Sequence, residues 1–88
     1  MMKFKTDPEV DINMTHKVGD LNATYAQIVD KFGIPVVLIG DDKVQVEWRV
    51  EFDDGTVATI HDWKEWRSYH DVTRWSIGGH SARAAALV

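Results

Sequence analysis

The 88-residue chain has no cysteine. That excludes disulfide bonds, thiolate nucleophiles and thiolate zinc sites, and gives no reason to expect an oxidising compartment. Long hydrophobic runs are missing as well. The opening MMKFKTDPEVDINM lacks the apolar stretch of a secretory signal, and no segment approaches the roughly 20 apolar residues that span a bilayer. The chain therefore reads as cytoplasmic, with no membrane partner. Basic charge is scarce, with 10 Lys and Arg against 14 Asp and Glu. Residues 1–60 hold six basic and eleven acidic side chains, and residues 61–88 hold four and three. Nucleic-acid affinity needs several Lys or Arg contacts to phosphate, so direct nucleic-acid binding is not expected. Repeats, linkers and low-complexity tracts are absent too.

What remains is the composition of one folded domain, 1–88, with the first ten residues read as a flexible lead-in. A hydrophobic content of 44% with four tryptophans is too apolar for a disordered chain. A domain this small buries only about 60–65% of its unfolded surface. Added stability is then expected from a partner or from a homo-oligomer.

The clearest local signal is KVQVEWRVEF, Lys43 to Phe52. Val44, Val46, Trp48, Val50 and Phe52 alternate with polar residues, the pattern of a strand packed on one face. Asp53-Asp54-Gly55 supplies turn residues, and TVATIH, Thr56 to His61, returns as the partner strand. A three-residue loop with Gly55 left-handed pairs Trp48 with Ile60 and leaves His61 on the wet face. A two-residue turn instead pairs Trp48 with His61. The first register is preferred because it buries no titratable ring.

NATYAQIVDKFGIP reads as a helix from Asn22, the N-cap, to Phe32, with Tyr25, Ile28, Val29 and Phe32 on one face and Gly33 and Pro35 ending it. A short strand is expected within DINMTHKVGD, a short strand or buried loop in PVVLIG, an aromatic loop over Asp62 to Asp71, a strand at Arg74 to Ile77, and a final helix capped by Ser81. The fold class is α+β: a small antiparallel sheet of three to four strands covered by one main helix, with a short C-terminal helix.

Chemistry-bearing clusters are few. His61, His70 and His80 have no recurrent zinc spacing, and no cofactor is expected. Asp41-Asp42 and Asp53-Asp54 bracket the long strand, too far apart to share a metal. Glu47 and Glu51 with them offer at most a diffuse acidic face, interrupted by Arg49. Ser68, Ser76 and Ser81 lie near histidines but without a G-x-S-x-G elbow. The chain is read as a non-enzyme.

Trp63 and Trp75 read first as core fillers and Trp66 as partly exposed. Trp63, Lys64, Trp66, Arg67 and Tyr69 form the candidate protein-binding group, because an exposed Trp beside Arg is interface chemistry. Gly78-Gly79 reads as a corner. The alternative is an anion site in which Gly78, Gly79, His80, Ser81 and Arg83 hold phosphate while Trp75 or Trp66 stacks a base.

The helix TYAQIVDKFGIP, the hairpin EWRVEFDDGTVATIHDWK and the closing WSIGGHS together resemble small proteins encoded in bacteriophage genomes. The resemblance covers about two thirds of the chain and departs from the usual pattern between Lys64 and Val72. It implies an accessory protein of the infected host cell's cytoplasm, with no catalytic residues to carry over. The expected function is a phage-type protein that binds and inhibits or modulates a host anti-viral defence protein or complex. The alternative is a sponge or sensor that binds a nucleotide or another phosphorylated small ligand.

Overall fold

The computed structural model describes residues 3–38, 40 and 43–88. The expected Asp41-Asp42 pair lies outside the described residues. In chain order the elements are β1 (Phe4–Thr6), β2 (His16–Asn22), α1 (Tyr25–Phe32), β3 (Val36–Val37), β4 (Val46–Phe52), β5 (Val57–His61), a 3-10 turn (Tyr69–Asp71), β6 (Arg74–Gly79) and α2 (Ala82–Leu87). The six strands form one antiparallel sheet in the order β1-β4-β5-β6-β2, with β3 on β4 beside β1. This corrects the expected class. The fold is dominated by a six-stranded sheet, and its two helices span only eight and six residues.

The strand missed is β1, three residues within the supposed lead-in and too short to carry a period of two; of the strand or buried loop offered for PVVLIG, the structure takes the two-residue strand β3. What holds β1 is tertiary: the Phe4 ring centroid lies 4.9 Å from that of Phe32 and 6.0 Å from that of Phe52.

The preferred hairpin register is the one observed. Trp48 pairs with Ile60 and Val50 with Ala58. Gly55 takes φ +87, and its N–H donates to the Phe52 carbonyl. One sheet face then carries Val46, Trp48, Val50, Phe52, Ala58, Ile60 and Trp75, closed by Ile28 and Phe32 of α1, Val72 and Ala84 of α2. Burying a tryptophan requires a partner for its N–H. Trp75 Nε1 donates to the Ala23 carbonyl and Trp48 Nε1 to that of Gly33, so the two indoles hold both ends of α1.

α1 starts two residues later than the sequence suggests. Asn22 is consumed by β2, where it pairs with Arg74. Thr24 is the N-cap instead, in a capping box with Gln27: each side chain accepts from the other's backbone N–H.

Gly78 and Gly79 are not a corner. Both lie within β6, with ordinary negative-φ backbone, because neighbours approach them too closely for a side chain. A Cβ on Gly78 would sit 2.4 Å from Thr59 Oγ1, and one on Gly79 2.4 Å from Ala84 Cβ.

A polar cleft on the second face of the sheet

The alternation that buries Trp48 sends Glu47, Arg49 and Glu51 to the opposite face. Two rows cross that face. Glu47 pairs with His61, His61 with Ser76, and Ser76 with Asp20. Arg49 pairs with Thr59, Thr59 with Gly78, and Gly78 with Lys17. Cross-strand partners share a face, so polar side chains from four strands form one floor.

The face is not simply wet. The segment from Asp7 to Thr15 folds over it. Arg49 Nη1 donates to the Pro8 carbonyl at 3.1 Å, and the Asp7 N–H donates to the Arg49 carbonyl at 3.1 Å. His80 Nε2 donates to the Asn13 carbonyl at 2.9 Å. The loop so pinned leaves a cleft of about 580 Å³ lined by Ile12, Thr15, His16, Lys17, Glu47, Thr59, His61, Trp63, Ser76 and Gly78. A shallower hollow shares Lys17, Trp63 and Ser76 and adds Asp20, Glu65 and Arg74. Trp63 stands between the two.

Trp63 is placed by Asp62, which is 1% exposed. The Asp62 carboxylate accepts the N–H groups of Gln45 and Val46 and the Gln45 side-chain amide, at 2.8, 3.1 and 2.9 Å. That amide also donates to the Arg67 carbonyl, and the Lys64 N–H donates to the Lys43 carbonyl. The aromatic loop is thus tied down at both ends. Its next side chain, Trp63, is 53% exposed at the rim, contrary to the core-filling expectation, because β5 ends at His61 and the buried position after it is taken by Asp62.

Several polar groups in the cleft have unused capacity. Among the described residues, Ser76 Oγ has no hydrogen-bond partner within the protein, and neither has His61 Nε2. Glu47 Oε1 accepts from Arg49 Nε at 2.8 Å, leaving Oε2 to the cleft. Burial pushes the His61 pKa below its ordinary value, assisted by the Lys17 charge and opposed by the carboxylates of Glu47 and Asp62. Glu47, His61 and Ser76 form an acid-base-hydroxyl row, yet no hydrogen bond joins any two of them.

The aromatic candidates separate. Trp66 is 87% exposed with the Arg67 guanidinium 5.3 Å from its ring centroid, and Lys64 and Arg67 are exposed beside it. Tyr69 is half-buried against Tyr25 and His70 instead. Trp75 is fully buried, so it cannot stack a base.

Of the anion-site candidates, His80 and Ser81 meet in a separate small hollow with Asp54, Gly55, Thr56 and Val57, where Ser81 also caps α2 and His80 holds the loop. Arg83 pairs with Asp54, whose carboxyl hydrogen bonds from Thr56 and Arg83 lower to about 2. Of that set, Gly78 alone lines the main cleft. His70 meets Ser68 Oγ at 3.0 Å, away from His61 and His80. Among the described residues no group of three or more His, Asp or Glu side chains is placed to hold a metal. The acidic face is also matched: Glu47 pairs with Arg49, and Glu51 with Lys5 at 3.2 Å.

No protein-family model, curated protein or solved structure matches the chain. Among the described residues no helix is long and apolar enough to cross a membrane.

The sequence reading missed Ile12, Thr15, His16, Lys17, Glu47, Thr59, His61 and Ser76 as site residues. The strand alternation put Glu47, Thr59 and His61 on one face, which was the available signal. The covering loop carries no period that would have announced it.

Proposed function

We propose that this chain is a non-enzymatic binding protein that captures a small ligand in the cleft on the second sheet face. The observation that carries the reading is the cleft itself: strand-borne polar groups with unused hydrogen-bonding capacity, enclosed between a pinned loop and an exposed tryptophan. Concave sites of roughly 300–1,000 Å³ with a few convergent polar groups are where small molecules bind. The reading without catalysis rests on the unconnected Glu47, His61 and Ser76. In the setting implied by the resemblance to phage proteins, such a chain serves as a sponge or sensor in the infected cell.

Native mass spectrometry of freshly purified protein, before and after denaturation, tests this. Wild type is expected to carry a small-molecule mass that folded Ser76→Phe, which fills the cleft, has lost and Trp66→Ala retains. A wild-type protein that is free of bound mass and takes up no added small ligand overturns the reading.

A second reading, docking on a host protein to inhibit or modulate it, is favoured by one observation. Trp66 is 87% exposed beside Arg67 on a loop whose backbone is tied to Gln45. Preorganised Trp and Arg are the residues that dominate interface energies. Capture of a host partner that Trp66→Ala abolishes and Ser76→Phe leaves intact would establish it.

A further inference from the structure

Resting on the cleft reading above, we propose that the ligand is nucleotide-like: a planar heteroaromatic ring bearing an amino group, joined to a phosphate. The cleft asks for each part separately.

Trp63 offers the ring its platform. Its indole stands at the rim directly after the buried Asp62, whose carboxylate is fixed on Gln45, and every nucleobase has a π-face to lay on it. Lys64 adds a cation at the rim, its Nζ 5.7 Å from the Trp63 ring centroid. On the floor, the Glu47 side chain is only 13% exposed, with one oxygen committed to Arg49. A half-buried carboxylate oxygen is an obligate acceptor, so it selects a ligand N–H or NH₂. Ser76 Oγ and His61 Nε2 add groups suited to ring nitrogens and hydroxyls.

Two cations stand near that platform. Lys17 lines both the cleft and the adjoining hollow, and Arg74 lines the hollow, together with Asp20 and Glu65. Asp20 holds both Lys17, at 3.0 Å, and Arg74, at 3.3 Å. That shared carboxylate keeps two cations on one side, where a single phosphate can meet them. A purely apolar ligand would leave the second Glu47 carboxylate oxygen, His61 Nε2 and Ser76 Oγ desolvated without partners. A long polyanion meets an overall charge of −4.

The test is calorimetric titration of the full chain at pH 7.5 and low salt with AMP, GMP, adenosine and ribose 5-phosphate. AMP or GMP is expected to bind and quench tryptophan fluorescence, and Trp63→Leu should lose most of both effects. Adenosine and ribose 5-phosphate should each bind at least tenfold more weakly. Lys17→Gln should weaken the nucleotide severalfold and leave adenosine unchanged, and Glu47→Gln should weaken nucleotide and adenosine alike. Adenosine binding as tightly as AMP overturns the phosphate, and ribose 5-phosphate binding as tightly overturns the ring. If no probe binds while wild type carries a mass that Ser76→Phe loses, the cleft stands and the nucleotide class falls. With neither binding nor bound mass, both fall together.

Discussion

A single missing methyl at Gly78 decides how tightly the cleft floor is built. Its absent Cβ would sit 2.4 Å from Thr59 Oγ1 but 3.7 Å from Thr59 Cβ, so the conflict lies with the hydroxyl rather than the backbone. Gly78→Ala is expected to cost about 1–3 kcal/mol through overpacking. Most of that cost should vanish in a Thr59→Ala background, read by urea denaturation of the four proteins of the cycle.

His61 sets a pH dependence at the same scale. Desolvation lowers its folded pKa below 6.5, so between the two values the unfolded chain binds the extra proton. Stability therefore falls as pH drops through that window. The groups facing the ring are Glu47 of β4, Asp62 after β5 and Lys17 of β2, with His16 of β2 and Ser76 of β6 also lining the cleft. Wild type should lose more melting temperature than His61→Gln between pH 7.5 and 5.5. An equal loss would show that His61 is protonated equally easily in both states.

Among the elements, β4 is the one on which the others are assembled. It pairs with β1, β3 and β5 and supplies one face to the core and the other to the cleft. Its start is fixed from outside by Asp62, whose loss leaves the N–H groups of Gln45 and Val46 buried without their acceptor. Asp62→Ala is expected to destabilise by about 3 kcal/mol and to release Trp63, visible as a red shift of tryptophan emission in the folded protein. β4, β5 and their turn were legible in the sequence because alternation and the Asp-Asp-Gly signal agree on one register. α1 was legible in its apolar face but not in its start, since Asn22 and Thr24 are both good caps and only the pairing of Asn22 with Arg74 chooses between them. β1 was illegible because its cause is the neighbour it pairs with, and PVVLIG, readable as strand or buried loop, becomes β3 through its pairing with β4.

The whole molecule is a sheet with two unlike faces. One is filled by tryptophans and closed by both helices, and the other is floored by polar side chains and half-covered by the segment from Asp7 to Thr15. A ligand that binds only the folded state at 100 times its Kd stabilises by about 2.7 kcal/mol. For a domain of this size each kcal/mol raises the melting temperature by roughly 4–8 °C. Saturating AMP or GMP should therefore raise the wild-type melting temperature by on the order of 10 °C or more, and leave Ser76→Phe unmoved.

The sequence by itself determined the two-faced hairpin, the apolar stripe of the first helix and the Ser81 cap. Each of these is written in residues within a few positions of one another, as a period, a cap or a turn. Only the tertiary structure decided that the sheet has six strands, that Trp63 is a rim and Trp75 a core residue, and that Gly78-Gly79 is strand. It also brought Glu47, His61, Ser76 and Lys17 onto one floor. Those outcomes depend on strand order and on what approaches each residue across the sheet, and residues 17 to 76 become neighbours only when the chain between them has folded.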